Sequence, residues 1–225
     1  MAMDNALRDL VLASNNAKKL AELGDLFAPL GLRLLPQGAL AVPEPDEPYA
    51  TFIENALHKA RHASRLAGLP ALADDSGLCV DALGGAPGVW SARYAPLADT
   101  DADGARESRR ARQDAANNAH LLAALAGQTA PQQRRARFVC TLVAVRHPDD
   151  PEPLVATGDW PGRIALQPAG DGGFGYDPLM WLDEPGCSVA QLSAVDKQRL
   201  GHRGVAGRAL LALMRARWAL GDAGA

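Results

Sequence analysis

The chain has 225 residues, of which 48% are apolar and 22% are charged, and its formal net charge at pH 7 is −3. These values are typical of a globular protein with a sizeable core, and they exclude a disordered chain. The small net charge argues against bulk binding to nucleic acid or to an anionic membrane. The N-terminus is too charged for a signal peptide and no apolar run reaches membrane-spanning length, so we expect a cytoplasmic protein without a membrane partner.

The N-terminal part of the chain predicts alternating strands and helices. An apolar strand over residues 10–13 is followed by a polar loop and by a helix whose apolar residues recur with helical period up to Gly31. A second strand over residues 32–35 precedes a loop rich in proline and acidic residues over 36–50. Thr51 and Glu54 have the spacing of a capping box, which predicts a helix that ends at Gly68.

Residues 70–73 and 78–80 read as two strands, separated by Asp74, Asp75, Ser76 and Gly77. That polar segment is either an ordinary strand-ending turn or the start of a catalytic site, and local sequence leaves both readings open. Successive side chains of a strand point to opposite faces, so Asp74 and Asp75 cannot both face one cleft.

The second half of the chain predicts a long irregular loop over residues 84–94 and a helix over 103–126. Two strands follow, over 137–147 and 154–166, joined as a hairpin through 147–150. A last helix starts near residues 201–204. The pattern indicates an α/β protein whose elements share one continuous sheet.

Three segments outside the aspartate pair could bind a ligand. Residues 14–19 (Ser-Asn-Asn-Ala-Lys-Lys) lie between a strand and a helix, where backbone amides and the helix dipole attract phosphate, although a capped helix with surface lysines fits equally well. Residues 170–175 match Gly-x-Gly-x-x-Gly, but Pro178 prevents the helix that a dinucleotide site needs, so this segment predicts a turn that presents Phe174 for stacking. Lys197, His202 and Arg203 are hydrogen-bond donors near the last helix.

These segments together resemble the inosine triphosphate pyrophosphatase family, which hydrolyses deaminated purine nucleoside triphosphates such as dITP, ITP and XTP. The similarity covers nearly the whole chain. It is carried by residues 14–22, 51–56 (Thr-Phe-Ile-Glu-Asn-Ala), 73–78 (Ala-Asp-Asp-Ser-Gly-Leu), 84–94, 172–178 (Gly-Gly-Phe-Gly-Tyr-Asp-Pro) and 202–204 (His-Arg-Gly). The resemblance implies a homodimer and a single domain over 1–225, built as an elongated mixed sheet flanked by helices, with two lobes and a cleft between them.

The resemblance also implies roles for individual residues. Asp75 would accept the proton of the attacking water, and Glu47 and Asp75 would bind Mg²⁺. The triphosphate would be held by Ser14, Asn15, Asn16, Ala17, Lys18 and Lys19, with Ser76 as a further substrate contact, and the base would be surrounded by Phe174, Gly175, Tyr176, Asp177, Lys197, His202 and Arg203.

Two departures from the family pattern bear on these roles. Gly201 stands where the family often has serine, and Lys18 replaces a smaller residue. Donors from His202 and Arg203 suit a 6-keto oxygen and would face the 6-amino group of adenine, so we expect adenine nucleotides to be rejected. Two alternatives stay open: a related pyrophosphatase for modified pyrimidine or methylated nucleotides, and a nucleotide-binding module without catalysis.

Overall fold

A computed structural model describes residues 8–96 and 106–221 of the chain. The strands in these ranges are β1 (Asp9–Leu12), β2 (Arg33–Pro36), β3 (Ala71–Val80), β4 (Arg135–Val145), β5 (Leu154–Ile164), β6 (Met180–Leu182) and β7 (Cys187–Ser188). The α-helices described are α1 (Ala17–Phe27), α2 (Phe52–Ala67), α3 (Arg106–Ala124), α4 (Ala194–Leu200) and α5 (His202–Trp218). The strand order in the sheet is β2-β1-β3-β4-β5-β6-β7.

The sheet is mixed. Strand β1 pairs in parallel with β2 on one side and with β3 on the other, whereas β6 pairs antiparallel with both β5 and β7. Parallel pairs need a crossover, and α1 and α2 supply it for β2 and β3. The predicted α/β fold with a mixed sheet is therefore confirmed.

Within the described residues, the first of two compact units contains residues 8–75, 140–158 and 202–221. One of its apolar clusters includes Leu10, Phe27, Leu142 and Leu210, all fully buried. A second cluster packs the alanine stripe of α2 against the sheet. Gly158 of β5 lets the backbone of α5 approach closely, because a Cβ there would lie 2.2 Å from His202 O.

The second compact unit contains residues 76–139 and 159–201, apart from the undescribed stretch within the first of these ranges. Its core includes Leu78, Leu121, Ile164 and Leu179. Arg134 is buried and donates to four backbone carbonyls, those of Leu125, Gln128, Ile164 and Ala165, at 2.6 to 3.0 Å. This arginine joins the C-terminal end of α3 to the end of β5.

Two predictions of local structure were wrong. Residues 74–77 do not form a turn, because β3 runs without a break from Ala71 to Val80 and carries both aspartates in its interior. The Thr51 hydroxyl accepts from Glu54 N at 3.3 Å, but the Glu54 carboxylate accepts from that same hydroxyl instead of from the Thr51 amide, so the capping box is only half made. The start of the predicted helix at 103–105 lies outside the described residues.

Candidate active site

The two aspartates of β3 are buried and bind different partners. Their side chains point to opposite faces of the strand, as the alternation of a strand requires. Asp74 contacts residues of α1 and α5, whereas Asp75 contacts residues of α2. The two carboxylates therefore have different direct partners although they are adjacent in sequence.

Asp74 is the counter-ion of two cations. Lys19 Nζ lies 2.7 Å from Asp74 Oδ1, and Arg203 Nε lies 3.6 Å from Asp74 Oδ2. Burial by itself would raise the pKa of Asp74, but the positive charges of Lys19, Arg203 and Lys59 outweigh that effect and hold the pKa well below its ordinary value. Asp74 thus fixes two cations in place and is not suited to accept a proton.

Asp75 has the opposite shift. Burial raises its pKa, the charge of Lys59 opposes that rise, and the nearby Glu47 carboxylate adds to it, so the pKa of Asp75 is raised overall. Lys59 Nζ lies 3.1 Å from Asp75 Oδ1, and Asn55 Nδ2 donates to Asp75 Oδ2 over 3.3 Å. A carboxylate with a raised pKa that is held by directed donors has the properties of a general base.

Glu47 belongs to the same cluster through Lys59. The Lys59 ammonium lies 2.5 Å from Glu47 Oε1, so one cation bridges the carboxylates of Glu47 and Asp75. Burial lowers the pKa of Lys59, but the charges of Asp75, Asp74 and Glu47 raise it more, and the lysine stays charged. The cluster brings together the two residues predicted to bind Mg²⁺, and it adds a lysine that the prediction lacked.

The segment between β1 and α1 forms a compact polar turn. Ser14 Oγ accepts from Asn16 N at 3.2 Å, and Asn16 Oδ1 accepts from Lys19 N at 3.4 Å, which caps the first turn of α1. Asn15 is exposed, but its side-chain amide is engaged in hydrogen bonds within the chain. Its Oδ1 accepts from Gly38 N and its Nδ2 donates to Glu44 Oε1. Ala17 opens α1 and Lys18 follows it, although the Lys18 side chain is outside the description.

Arg203 lies next to this turn in the first unit. Its guanidinium is nearly buried, donates to Glu22 Oε2 over 2.8 Å and lies beside Asp74. The charges of Asp74 and Glu22 outweigh the effect of burial and raise the pKa of Arg203. His202 is the first residue of α5 and is half-buried. The predicted base-binding arginine is thus linked through Asp74 to the predicted phosphate-binding lysine.

The remaining predicted residues lie in the second unit, where Gly173, Phe174 and Gly175 form a turn. Asp177 is buried, accepts from Phe174 N at 2.8 Å and is bound by Lys197. The Lys197 ammonium lies 4.4 Å from the centroid of the Phe174 ring. A Cβ at Gly173, whose φ is +78°, would lie 2.1 Å from Asp177 Oδ2, so this position accepts only glycine.

Tyr176 and Ser76 were predicted to contact the substrate, but both side chains are less exposed than that role implies. The Tyr176 ring is buried in the core and its hydroxyl donates to Ser91 O over 2.9 Å. Burial, with the nearby Tyr94 and Asp114, raises the pKa of this phenol far above its ordinary range. Ser76 is half-buried on β3.

Sequence reasoning missed several residues of these clusters. Lys59 and Asn55 both contact Asp75, and their spacing of four places them on one face of α2. The available signal was a lysine inside a stripe of buried alanines, Ala56, Ala60 and Ala63, where a long charged side chain needs a partner. No comparable signal marked Glu22 as the partner of Arg203.

Comparison with known proteins places this arrangement in a family. The model of the Ham1 family matches residues 10–213, and the chain belongs to that family. The dITP/XTP pyrophosphatase of Leptothrix cholodnii is 61% identical over 94% of this chain and 99% of that protein. The dITP/XTP pyrophosphatase of Methylibium petroleiphilum is 60% identical over 93% of this chain and 98% of that protein.

A solved structure has the same fold. The HAM1 protein of Coxiella burnetii superimposes with a TM-score of 0.81 at 40% identity, covering 92% of this chain and 98% of that one. The family resemblance seen in the sequence is therefore confirmed. None of the helices in the described ranges is long and apolar enough to cross a membrane.

Proposed function

We propose that this protein is a pyrophosphatase that hydrolyses dITP, XTP and related deaminated purine nucleoside triphosphates to the monophosphate and pyrophosphate. The observation that carries the proposal is the pair Asp74 and Asp75, which bind different sets of cationic and polar partners. Their surroundings also shift their pKa values in opposite directions. Such a pair divides the work between a fixed counter-ion and a proton acceptor. The names of the relatives at 61% and 60% identity support the choice of substrate.

The proposed reaction is hydrolysis between the α and β phosphates. Asp75 takes a proton from water, the water oxygen forms a new bond to phosphorus, and the anhydride bond breaks so that pyrophosphate leaves. The hydrogen bonds from Lys59 and Asn55 hold the Asp75 carboxylate in one orientation for this transfer. Removal of deaminated purines from the nucleotide pool is the proposed cellular role, in the cytoplasm.

The carboxylates of Glu47 and Asp75 fit Mg²⁺ as part of this proposal. An oxygen of each carboxylate lies within 3.1 Å of the Lys59 ammonium. The two carboxylates are therefore close enough to contact one cation together. No group of three or more His, Cys, Asp or Glu side chains within the described ranges could hold a metal by itself. That suits Mg²⁺, which takes one or two carboxylates together with substrate phosphates and, when bound, would neutralise charge on the triphosphate.

The phosphates and the base are assigned to separate residues. The polar turn before α1, with Ser14 and Asn16, is proposed to bind the triphosphate together with Lys19 in the first turn of that helix, through backbone amides, the helix dipole and the lysine charge. Asn15 is proposed to hold that turn in shape, because its amide is bound to Gly38 and Glu44. The base is assigned to Phe174, Asp177, Lys197, His202 and Arg203, and the homodimer implied by the family resemblance stays part of the proposal.

Pyrophosphate release by the purified protein tests the function. We expect release from dITP and XTP in Mg²⁺, with kcat/KM at least about a hundredfold higher than for dATP, because two donors facing the 6-amino group of adenine would be left unpaired. Equal rates on dATP, or none on dITP, would contradict the proposal. Preferred turnover of a modified pyrimidine triphosphate would favour the related pyrophosphatase, and tight binding without turnover would favour a regulatory module.

A further inference from the structure

Asp114 and Asn118 of α3 bind the two backbone polar groups of one residue, Gly175. Asp114 Oδ2 accepts from Gly175 N over 2.8 Å, and Asn118 Nδ2 donates to Gly175 O over 2.8 Å. The two side chains are four positions apart, so they lie on the same face of α3 one turn from each other. We call this pair the α3 clamp.

The Asn118 amide is oriented by a second contact. Its Nδ2 also donates to the backbone carbonyl of Asp114 at 2.9 Å, so both hydrogens of the amide group are engaged. Gly175 has a φ of +60°, and a flexible glycine in this region could otherwise adopt many conformations. The α3 clamp therefore fixes a backbone position that the sequence by itself leaves free.

The clamp determines where the neighbouring aromatic ring lies. Phe174 N donates to Asp177 Oδ2, and Asp177 N donates to Phe174 O over 3.2 Å, which closes the turn from within. Arg110, one turn before Asp114 on α3, lies with its guanidinium carbon 5.1 Å from the centroid of the Phe174 ring. The backbone of Phe174 is thus fixed by hydrogen bonds within the turn, and its ring contacts Arg110 of α3.

We infer that Asp114 and Asn118 are positioning residues for base recognition, which act by holding the Phe174 turn in one conformation. The inference rests on the proposed function, because that function assigns the base to Phe174. A ring that stays in place binds a base at a lower cost in entropy than a mobile ring. Stacking itself accepts every base, so selectivity depends on the ring holding the base in one position relative to polar groups such as Asp177 and Lys197. The clamp contains none of the residues proposed for proton transfer, so its loss should act on binding and selectivity.

Steady-state kinetics with dITP and dGTP test the inference. Asp114→Ala and Asn118→Asp each remove one hydrogen bond of the clamp, and we expect KM for dITP to rise about tenfold while kcat changes less than about twofold. The preference for dITP over dGTP should fall severalfold. Asp114→Asn keeps an oxygen that can accept from Gly175 N and should stay within about threefold of wild type. Arg109→Ala, an exposed change on the same helix, is the matched control.

Hydrogen exchange of the peptide 170–179 provides a readout that needs no turnover. We expect faster exchange of this peptide in Asp114→Ala and Asn118→Asp, and wild-type exchange in Asp114→Asn and Arg109→Ala. Unchanged exchange in the first two variants would disprove the clamp, and faster exchange with unchanged KM and selectivity would disprove its role in recognition. If wild type does not hydrolyse dITP, the proposed function and the recognition role both fail, while exchange still decides whether the clamp exists.

Discussion

The Lys59 ammonium of α2 lies 3.1 Å from Asp75 Oδ1 and is a positively charged partner for this buried carboxylate of β3. Both side chains are almost buried. A buried carboxylate without a cation would be protonated, and a buried lysine without a carboxylate would lose its proton. Each group therefore keeps the other charged, and Glu47 extends the pair to the acidic loop.

Asp75→Asn tests the assignment of the general base. The amide keeps the size of the side chain and one of its two acceptor oxygens but cannot accept the proton of the attacking water, so we expect kcat to fall at least about a hundredfold. The dissociation constant for dITP, measured by calorimetry under conditions without turnover, should change little. Asp149→Asn, on an exposed aspartate, is the control, and a variant at position 75 that retains wild-type kcat would exclude Asp75 from this role.

Lys59→Met tests whether the lysine neutralises the negative charge of Glu47 and Asp75 in the absence of a metal ion. Without the ammonium, Asp75 must either stay ionised against the repulsion of Glu47 or take up a proton, and both cost free energy, so the free energy of unfolding should fall in metal-free buffer by roughly 1 to 3 kcal/mol. Added Mg²⁺ relieves that repulsion, and we expect it to raise the melting temperature more in the variant than in wild type. Arg65→Met changes an exposed residue of the same helix, and Mg²⁺ should raise its melting temperature as much as that of wild type. If Mg²⁺ raises the melting temperature of Lys59→Met by only that amount, the prediction is wrong.

The local course of the chain could largely be predicted from the sequence, whereas the partners of its charged residues could not. The end of α2 at Gly68 and the presence of strand β1 follow from glycine chemistry and side-chain patterns, which act over a few residues. Lys19 and Asp74 are 55 positions apart and Lys59 and Asp75 are 16 apart, so their pairing depends on how α1 and α2 lie on the sheet.

The error at residues 74–77 has the same origin. Asp-Ser-Gly is favourable in turns when it faces water, and local propensity therefore predicted a break in the strand. In the folded chain Lys19 and Lys59 neutralise the two carboxylates, which removes the cost of keeping them inside a buried strand. Tertiary contacts thus override a local preference at the residues to which the function is assigned.

Asp150→Asn tests the dependence of stability on pH, away from the proposed site. The Asp150 carboxylate accepts hydrogen bonds from the Arg146 side chain and from the backbone amides of Arg146 and Glu152, at 2.9 to 3.0 Å. The Arg146 side chain is the main cause of a pKa of Asp150 far below the ordinary value. A lowered pKa contributes stability above the unfolded value of about 4, and that contribution is lost as the pH falls below it.

The variant should therefore differ most from wild type at neutral pH. We expect Asp150→Asn to lower the free energy of unfolding by about 1 to 3 kcal/mol at pH 7, and by less at pH 3, in urea titrations. Asp149→Asn changes the exposed neighbour and should leave the pH dependence as it is. A difference from wild type that stays constant between pH 7 and pH 3 would show that protonation of Asp150 does not contribute.

Gly158→Ala and Gly24→Ala form a matched pair within the first compact unit. A Cβ at position 158 would lie 2.2 Å from His202 O and 2.5 Å from Ala206 N, both backbone atoms of α5, so we expect a loss of about 2 to 3 kcal/mol of stability. Gly24 lies inside α1 with nothing within 4 Å of the added carbon, and alanine there should add about 0.5 to 1 kcal/mol. Thermal unfolding of both variants checks the two signs, and an unchanged melting temperature for Gly158→Ala would contradict the close approach.

The position of β3 within the sheet also has a consequence for how enzymes of this kind can diverge. β3 has a neighbouring strand on each side, and nine of its ten residues are buried. A mutation that moved Asp75 would have to disturb a strand that is buried over nearly its whole length, so the proposed proton acceptor is expected to change only together with the fold. The turn around Phe174 is held by two side chains of α3 and by Asp177 with Lys197, all outside β3, and new substrate preferences are therefore expected to evolve through α3 and this turn while the reaction stays the same.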